Sequence, residues 1–289
     1  MTEEQKTALF HSRLTALSLA VPQGAPQQLA RYQTLLEDWN TRMNLTGDAS
    51  LEATIDRHFL DSVAPLAYTA LWPEGTSVID VGTGAGFPGL PLAILRPDFQ
   101  VTLLDSLQKR LTFLQAVTEA LQLTNITFVH ARAEDAGRDP AFRERYDVAT
   151  ARAVAAVPAL MELLLPFVRV GGNAICYKGP AAEDELRDGE RASRLLGGGA
   201  VKVLPVSLPD HPDWRHCLLI SQKRMSTPKA FPRKAGLPAK VPLGRAPNAC
   251  PPLSCLRAGR RKCTRYPPHT ADARTSRVYP LLDRQGFPH

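Results

Sequence analysis

Ser77-Val78-Ile79-Asp80-Val81-Gly82-Thr83-Gly84-Ala85-Gly86-Phe87-Pro88-Gly89-Leu90-Pro91 is the stretch that decides how the other residues of this 289-residue chain are read. An apolar run from Val78 to Val81 carries one acid, breaks into glycines at 82, 84, 86 and 89, and yields to a helical apolar pattern from Leu90. This order predicts a strand, a turn sized for a phosphate or nucleoside, and a helix. Glycines serve where the backbone takes positive φ or admits a ligand with no Cβ in the way, and Pro88 suits the first helical turn. Gly84, Gly86 and Gly89 fit G-x-G-x-x-G, the dinucleotide fingerprint. Counted from Gly82, however, the pattern places Asp80 two residues before the first glycine. A carboxylate there opposes a pyrophosphate and suits a ligand with a cationic amino-acid end, such as S-adenosylmethionine.

Toward the C-terminus, strands and helices are expected to alternate. Phe99 to Leu104 reads as strand two, ending at Asp105, and Leu107 to Leu121 as a helix. Ile126 to Val129 and Tyr146 to Ala149 read as strands three and four, followed by a helix through Phe167. Gly171-Gly172 is expected to turn the chain into strand five, Ala174 to Tyr177. Alternation of this kind predicts a parallel sheet covered on both faces. After a charged helix near 183–196, Val201 to Val206 and His216 to Gln222 read as two strands with no helix between them, hence antiparallel. A mostly parallel α/β sheet closed by an antiparallel terminal strand is typical of class I, Rossmann-like methyltransferases.

Toward the N-terminus, residues 1–72 read as a helical cap. Leu29, Tyr32, Leu35, Leu36, Trp39 and Met43 keep one apolar face, and Leu51, Ile55, Phe59, Leu60, Val63 and Leu66 another. The expected division is a cap over 1–72, a methyltransferase core over 73–226, a basic segment over 227–244 and a disordered basic tail over 245–289. No apolar run approaches the roughly 18 residues of a membrane span. The acidic, amphipathic start lacks the order of a secretory signal, so a cytoplasmic protein is expected.

Charge says little about the partner of the folded body. From Arg245 onward nine Lys or Arg face two acids, a net +7, whereas the preceding 244 residues hold 26 of each sign. Five cysteines, at 176, 217, 250, 255 and 263, form no C-x-x-C pair, which argues against a zinc site; no metal is expected.

Ligands of an open parallel sheet sit at the carboxyl ends of its strands. Asp80, Gly82, Gly84, Gly86 and Phe87 end strand one. Asp105 ends strand two, where an acid can accept from both ribose hydroxyls or cap the next helix. Glu134 follows strand three as an adenine contact or a first-turn acid. Arg152 ends strand four, on the rim where a methyl group is delivered, as a ligand for phosphate or base or as half of an ion pair. The chain lacks Asn or Asp followed by two prolines and an aromatic after strand four, the pattern that accompanies exocyclic amine methylation. Cys176 lies inside strand five and reads as a buried hydrophobe rather than a nucleophile. Chemistry without a base or nucleophile fits a substrate atom with a free lone pair, such as guanine N7.

Several separated motifs resemble the bacterial ribosomal RNA small subunit methyltransferase G family, also called glucose-inhibited division protein B. They are Asn44-Leu45-Thr46, His58-Phe59-Leu60-Asp61-Ser62, Asp80 through Gly89, Arg132-Ala133-Glu134, Ala151-Arg152-Ala153-Val154, Lys178-Gly179 and Phe231-Pro232-Arg233-Lys234-Ala235-Gly236. The resemblance covers roughly residues 8 to 244. It implies an enzyme that uses S-adenosylmethionine to methylate N7 of one guanine in 16S rRNA near the decoding site, with the small ribosomal subunit as partner; a monomer is expected. Matching positions imply cofactor contacts at Gly82, Phe87, Asp105, Ser106, Ala133, Glu134 and Arg152. Arg57, Lys178, Arg233 and Lys234 are candidates for RNA contact, each readable also as a surface charge. His58 is expected to pack the cap. Two rivals are an NAD-dependent oxidoreductase and a non-catalytic ribosome-binding protein of the same fold.

Overall fold

In the computed structural model, residues 1–47, 50–208, 211 and 213–244 are described; the tail expected to be disordered lies outside them. The cap opens with α1 (Glu3–Ala16) and α2 (Ala25–Asn40). Thr2 and Gln5 close a reciprocal capping box at the start of α1, satisfying two of the donors that a helix N-terminus leaves unpaired. Pro26 occupies the first turn of α2, where its missing N–H costs nothing. A second helical run comprises α3 (Leu51–Thr54), a π-helical turn (Ile55–Leu60), α4 (Asp61–Val63) and two short 3₁₀ turns ending at Leu71.

The core follows as β1 (Ser77–Val81), α5 (Gly89–Leu95), β2 (Gln100–Asp105), α6 (Gln108–Ala120), β3 (Ile126–His130), α7 (Ala133–Ala136), β4 (Tyr146–Arg152), α8 (Val157–Leu164), β5 (Val168–Lys178), α9 (Leu186–Leu195), β6 (Gly198–Pro205), β7 (Cys217–Lys223) and α10 (Leu237–Lys240). The strands form one sheet in the order β3-β2-β1-β4-β5-β7-β6. Pairing is parallel from β3 to β5, and β7 runs antiparallel to both β5 and β6. The order reverses beside β1, so the carboxyl ends of β1 and β4 flank the crevice in which such sheets bind ligands.

Alternation along each strand explains the two cores. Val78, Leu103, Val148, Ile175 and Leu218 face the cluster built with the cap, α5 and α6, while their neighbours Ile79, Leu104, Ala149, Cys176 and Leu219 face the cluster built with α8 and α9. Both faces are apolar because both are covered. Phe10, Tyr32 and Phe59 of the cap bury fully against Leu90 and Phe113 of the core, so the cap shares a core with the sheet.

Two local expectations are corrected. Gly171-Gly172 does not turn the chain into β5; the strand already runs from Val168, and the extra residues are absorbed by a register shift between Tyr146 and Val148 on β4. Gly171 takes φ +90°, and a Cβ on Gly172 would be pressed into the Asp147 carbonyl, so the glycines read as a turn are those of an irregularity inside a strand. Likewise β6 already begins at Gly198 rather than at Val201.

Candidate active site

The carboxyl ends of β1, β2, β3 and β4 open onto a cavity of about 600 Å³. Gly82, Gly84 and Phe87 line it from the loop after β1, Asp105 and Ser106 from β2, Ala133 and Glu134 from α7, and Arg152 from β4. The cap adds Leu45, Thr46 and His58, and the C-terminal segment adds Gly236 and Ala239.

Asp105 is nearly inaccessible, and its carboxylate is fixed rather than free. Its Oδ2 accepts from the Gly84 N–H at 3.0 Å and from Arg110 Nη1 at 3.2 Å, while Oδ1 accepts from the Leu107 N–H at 2.9 Å. The acid therefore orders both the glycine loop and the entry to α6, and still borders the cavity. Arg110 is a cavity residue that the sequence reading missed; its spacing from Asp105 on the first turn of α6 was the available signal.

Asp80 and Gly86 take a different place from the one expected of cofactor contacts: neither lines the cavity. The Asp80 side chain is fully buried behind the loop, where Oδ2 accepts from Thr83 Oγ1 at 2.7 Å and from the Gly89 N–H at 2.9 Å. Its Oδ1 has no hydrogen-bond partner. Burial pushes its carboxyl up from 3.8 to about 6, against the lowering effects of Thr83, Gly89 and the Arg152 charge. Gly86, at φ +100°, would bring a Cβ to 2.5 Å from the Tyr32 hydroxyl and 2.8 Å from Leu114, so it is a point of close packing against the cap. These placements also separate the two glycine registers. Counted from Gly84, the glycine that should face a pyrophosphate is Gly86, which faces Tyr32. Counted from Gly82, it is Gly84, on the cavity wall, whose missing Cβ would meet only the Gly82 carbonyl oxygen, at 3.9 Å.

The cap fixes the far side of the loop. Tyr32 donates its hydroxyl to the Ala85 carbonyl and stacks on Phe87 at 5.5 Å, and His58 stacks on the same ring at 5.0 Å. His58 thus does more than pack the cap: it lines the cavity. The Arg152 guanidinium lies 5.0 Å from the Phe87 ring centre. It donates to the carbonyls of Arg57 (3.1 Å) and His58 (3.3 Å), and pairs with buried Asp61 at 3.4 Å. Asp61 also accepts from Trp214 Nε1 and meets His216 Nδ1 at 2.9 Å. Arg152 is therefore both a cavity residue and half of an ion pair.

The four basic RNA candidates divide. Arg57 and Lys234 are exposed. Lys178 is largely covered, donating to the Ala155 carbonyl at 3.2 Å and pairing with Glu185 at 3.1 Å. Arg233 is turned inward onto fully buried Glu162, with Nε and Nη2 at 2.9 and 2.6 Å from its carboxylate, so its charge is neutralised inside the fold. Cys176 is fully buried between β4 and β7, with its thiol pushed up to about 12 by desolvation.

The family description "rRNA small subunit methyltransferase G" matches residues 25–211. The chain belongs to this family. A ribosomal RNA small subunit methyltransferase G of Alkaliphilus oremlandii is 46% identical over 227 residues, 78% of this chain and 94% of that protein. One from Lactococcus lactis subsp. cremoris is 42% identical over 234 residues, 81% and 98% of the two chains. One from Clostridium botulinum is 45% identical over 212 residues, 73% and 88%. Among the described residues no helix is long and apolar enough to cross a membrane.

Proposed function

We propose that this chain transfers a methyl group from S-adenosylmethionine to N7 of one guanine in the 16S rRNA of the small ribosomal subunit, near the decoding site. The observation that carries the reading is the cavity at the carboxyl ends of four parallel strands, bordered by Asp105 and by the loop glycine whose missing Cβ leaves it open, in a chain of this family. The residues present fit such a cofactor: an ordered carboxylate for a diol, small residues along the wall, and no side chain filling the space at Gly84. Gly82, Gly84, Phe87, Asp105, Ser106, Ala133, Glu134 and Arg152 would hold it. When bound, the cofactor supplies an electrophilic methyl group on a sulfonium.

Guanine N7 carries an in-plane lone pair and no proton, so the protein need supply no base. Its task is alignment and a site tolerant of a cationic product. The buried Cys176 thiol, held protonated far above neutral pH, is no nucleophile. Neutralisation of Arg152 by Asp61 keeps its fixed cation from opposing charge that develops on the base. We assign residues 1–72 to holding the glycine loop, 73–226 to the cofactor, and Arg57 and Lys234 to RNA phosphates.

The reading is tested by tritium transfer from labelled donor to 30S subunits that lack the modification, with the nucleotide mapped by cleavage at N7-methylguanine and primer extension. Incorporation at a single guanine is expected; none would leave the non-catalytic alternative standing. Calorimetric titration with S-adenosylmethionine and with NAD separates the oxidoreductase, and heat only with NAD would refute the methyl-donor site.

A further inference from the structure

The segment after β7 crosses back over the body and reaches the cavity, and each step of its path is pinned. Arg143 donates to the carbonyls of Thr227 (2.7 Å) and Phe231 (2.9 Å), and Arg138 Nε to that of Pro232 at 2.8 Å. Arg233 then docks on Glu162 of α8 by four bonds: its own backbone N–H at 2.8 Å, Nε to both carboxylate oxygens, and Nη2 at 2.6 Å. Nη2 donates also to the Val241 carbonyl at 2.8 Å, closing the segment on itself. Phe231 and Leu243 pack against the core of α8 and α9.

Between these anchors the chain touches the cavity. Gly236, at φ +80°, donates its N–H to Glu134 Oε1 at 2.7 Å, and Gly236 and Ala239 stand on the cavity wall with Ala133, Glu134 and Leu163. Glu134 is thus shared between the cavity and this segment. The segment lies beyond residues 25–211, the part matched by the family description.

We propose that residues 231–241 are a strap forming one wall of the cofactor site, and that Glu162 and Arg233 are positioning residues that hold this wall against Glu134. The inference rests on the methyl-donor reading of the cavity. A fully buried carboxylate is costly unless paired, so Glu162 gives the strap one seated position. Because the strap borders the cavity, seating of the strap and binding of the cofactor are reciprocally linked: whatever loosens one weakens the other.

Hydrogen–deuterium exchange on the full chain, with and without S-adenosylmethionine, tests this without any substitution. Binding is expected to slow exchange of peptides covering 231–241 several-fold. Calorimetric binding with exchange there unchanged would overturn the strap while leaving the methyl-donor reading intact; no binding heat would overturn both. Arg233→Ala is expected to weaken S-adenosylmethionine binding about tenfold, within the usual range of coupling between sites, and Arg233→Lys to restore part of it. If Arg233→Ala folds, as circular dichroism reports, and binds the cofactor as the parent does, the positioning role is refuted.

Discussion

At the scale of residues, the carboxyl of Asp80 sets an unusual sign. Its folded pKa, about 6, lies above its ordinary 3.8, so the native state holds the proton more tightly than the unfolded chain does. The resulting cost is absent below the unfolded value and fully present above about pH 6; at about 1.4 kcal/mol per pKa unit it comes to about 3 kcal/mol. Between pH 4 and pH 7 the parent should lose about this much stability relative to Asp80→Asn in urea titrations, and parallel pH profiles would reject the account. Gly84 and Gly86 make a contrasting pair. Gly86→Ala adds a methyl among Tyr32, Leu114 and Leu90 at positive φ and should cost about 3 kcal/mol. Gly84→Ala meets only the Gly82 carbonyl oxygen, at 3.9 Å, beside the cavity, so its cost is that of the positive φ alone, about 1 kcal/mol, while it raises the Kd for S-adenosylmethionine. Denaturant midpoints and calorimetry on the two variants decide this. The motif made both glycines visible in the sequence, but not their different surroundings, because Tyr32 comes from the cap, 54 positions before Gly86. Asp80 was legible as an acid beside a ligand loop; that it braces the loop through Thr83 and Gly89 depends on side-chain direction, which strand parity leaves open at a strand end.

Among elements, the π-helical turn at Ile55–Leu60 and the rim of β4 are joined by one side chain. Arg152 satisfies the Arg57 and His58 carbonyls and neutralises Asp61, so Arg152→Met leaves a buried carboxylate with only His216 and Trp214. A loss of about 3 kcal/mol is expected, measured by urea unfolding, and a loss below about 0.5 kcal/mol would show that the pair contributes nothing net. The strands and their directions were readable because each carries apolar residues on both parities, and because no helix fits between Val206 and His216. The extent of β5 was not readable. Its first half is glycine-rich and largely exposed, pairs with β4 at Val168, and meets β7 only from Asn173 onward. Similarly, Arg233 read as an RNA contact or a surface charge since its partner, Glu162, sits 71 residues away on an otherwise apolar helix.

For the molecule as a whole, Met1–Gly244 forms one compact unit with its own two cores. Shortening the chain to Gly244 removes a net charge of +7 yet none of the residues that build the cavity. Methyl transfer to 30S subunits and its salt dependence are expected to persist; a flattened salt slope would instead assign phosphate contacts to the removed residues. The shared core of cap and sheet, legible only as two separate apolar patterns in the sequence, has a further bearing on how the protein is made. Walls of a single cavity come from Leu45 and from Ala239, 194 positions apart in the chain. During synthesis the N-terminal elements emerge and fold first. A nascent chain holding the cap, the glycine loop and every parallel strand still lacks the wall at Gly236–Ala239, so the cavity can close only after the ribosome has passed Ala239.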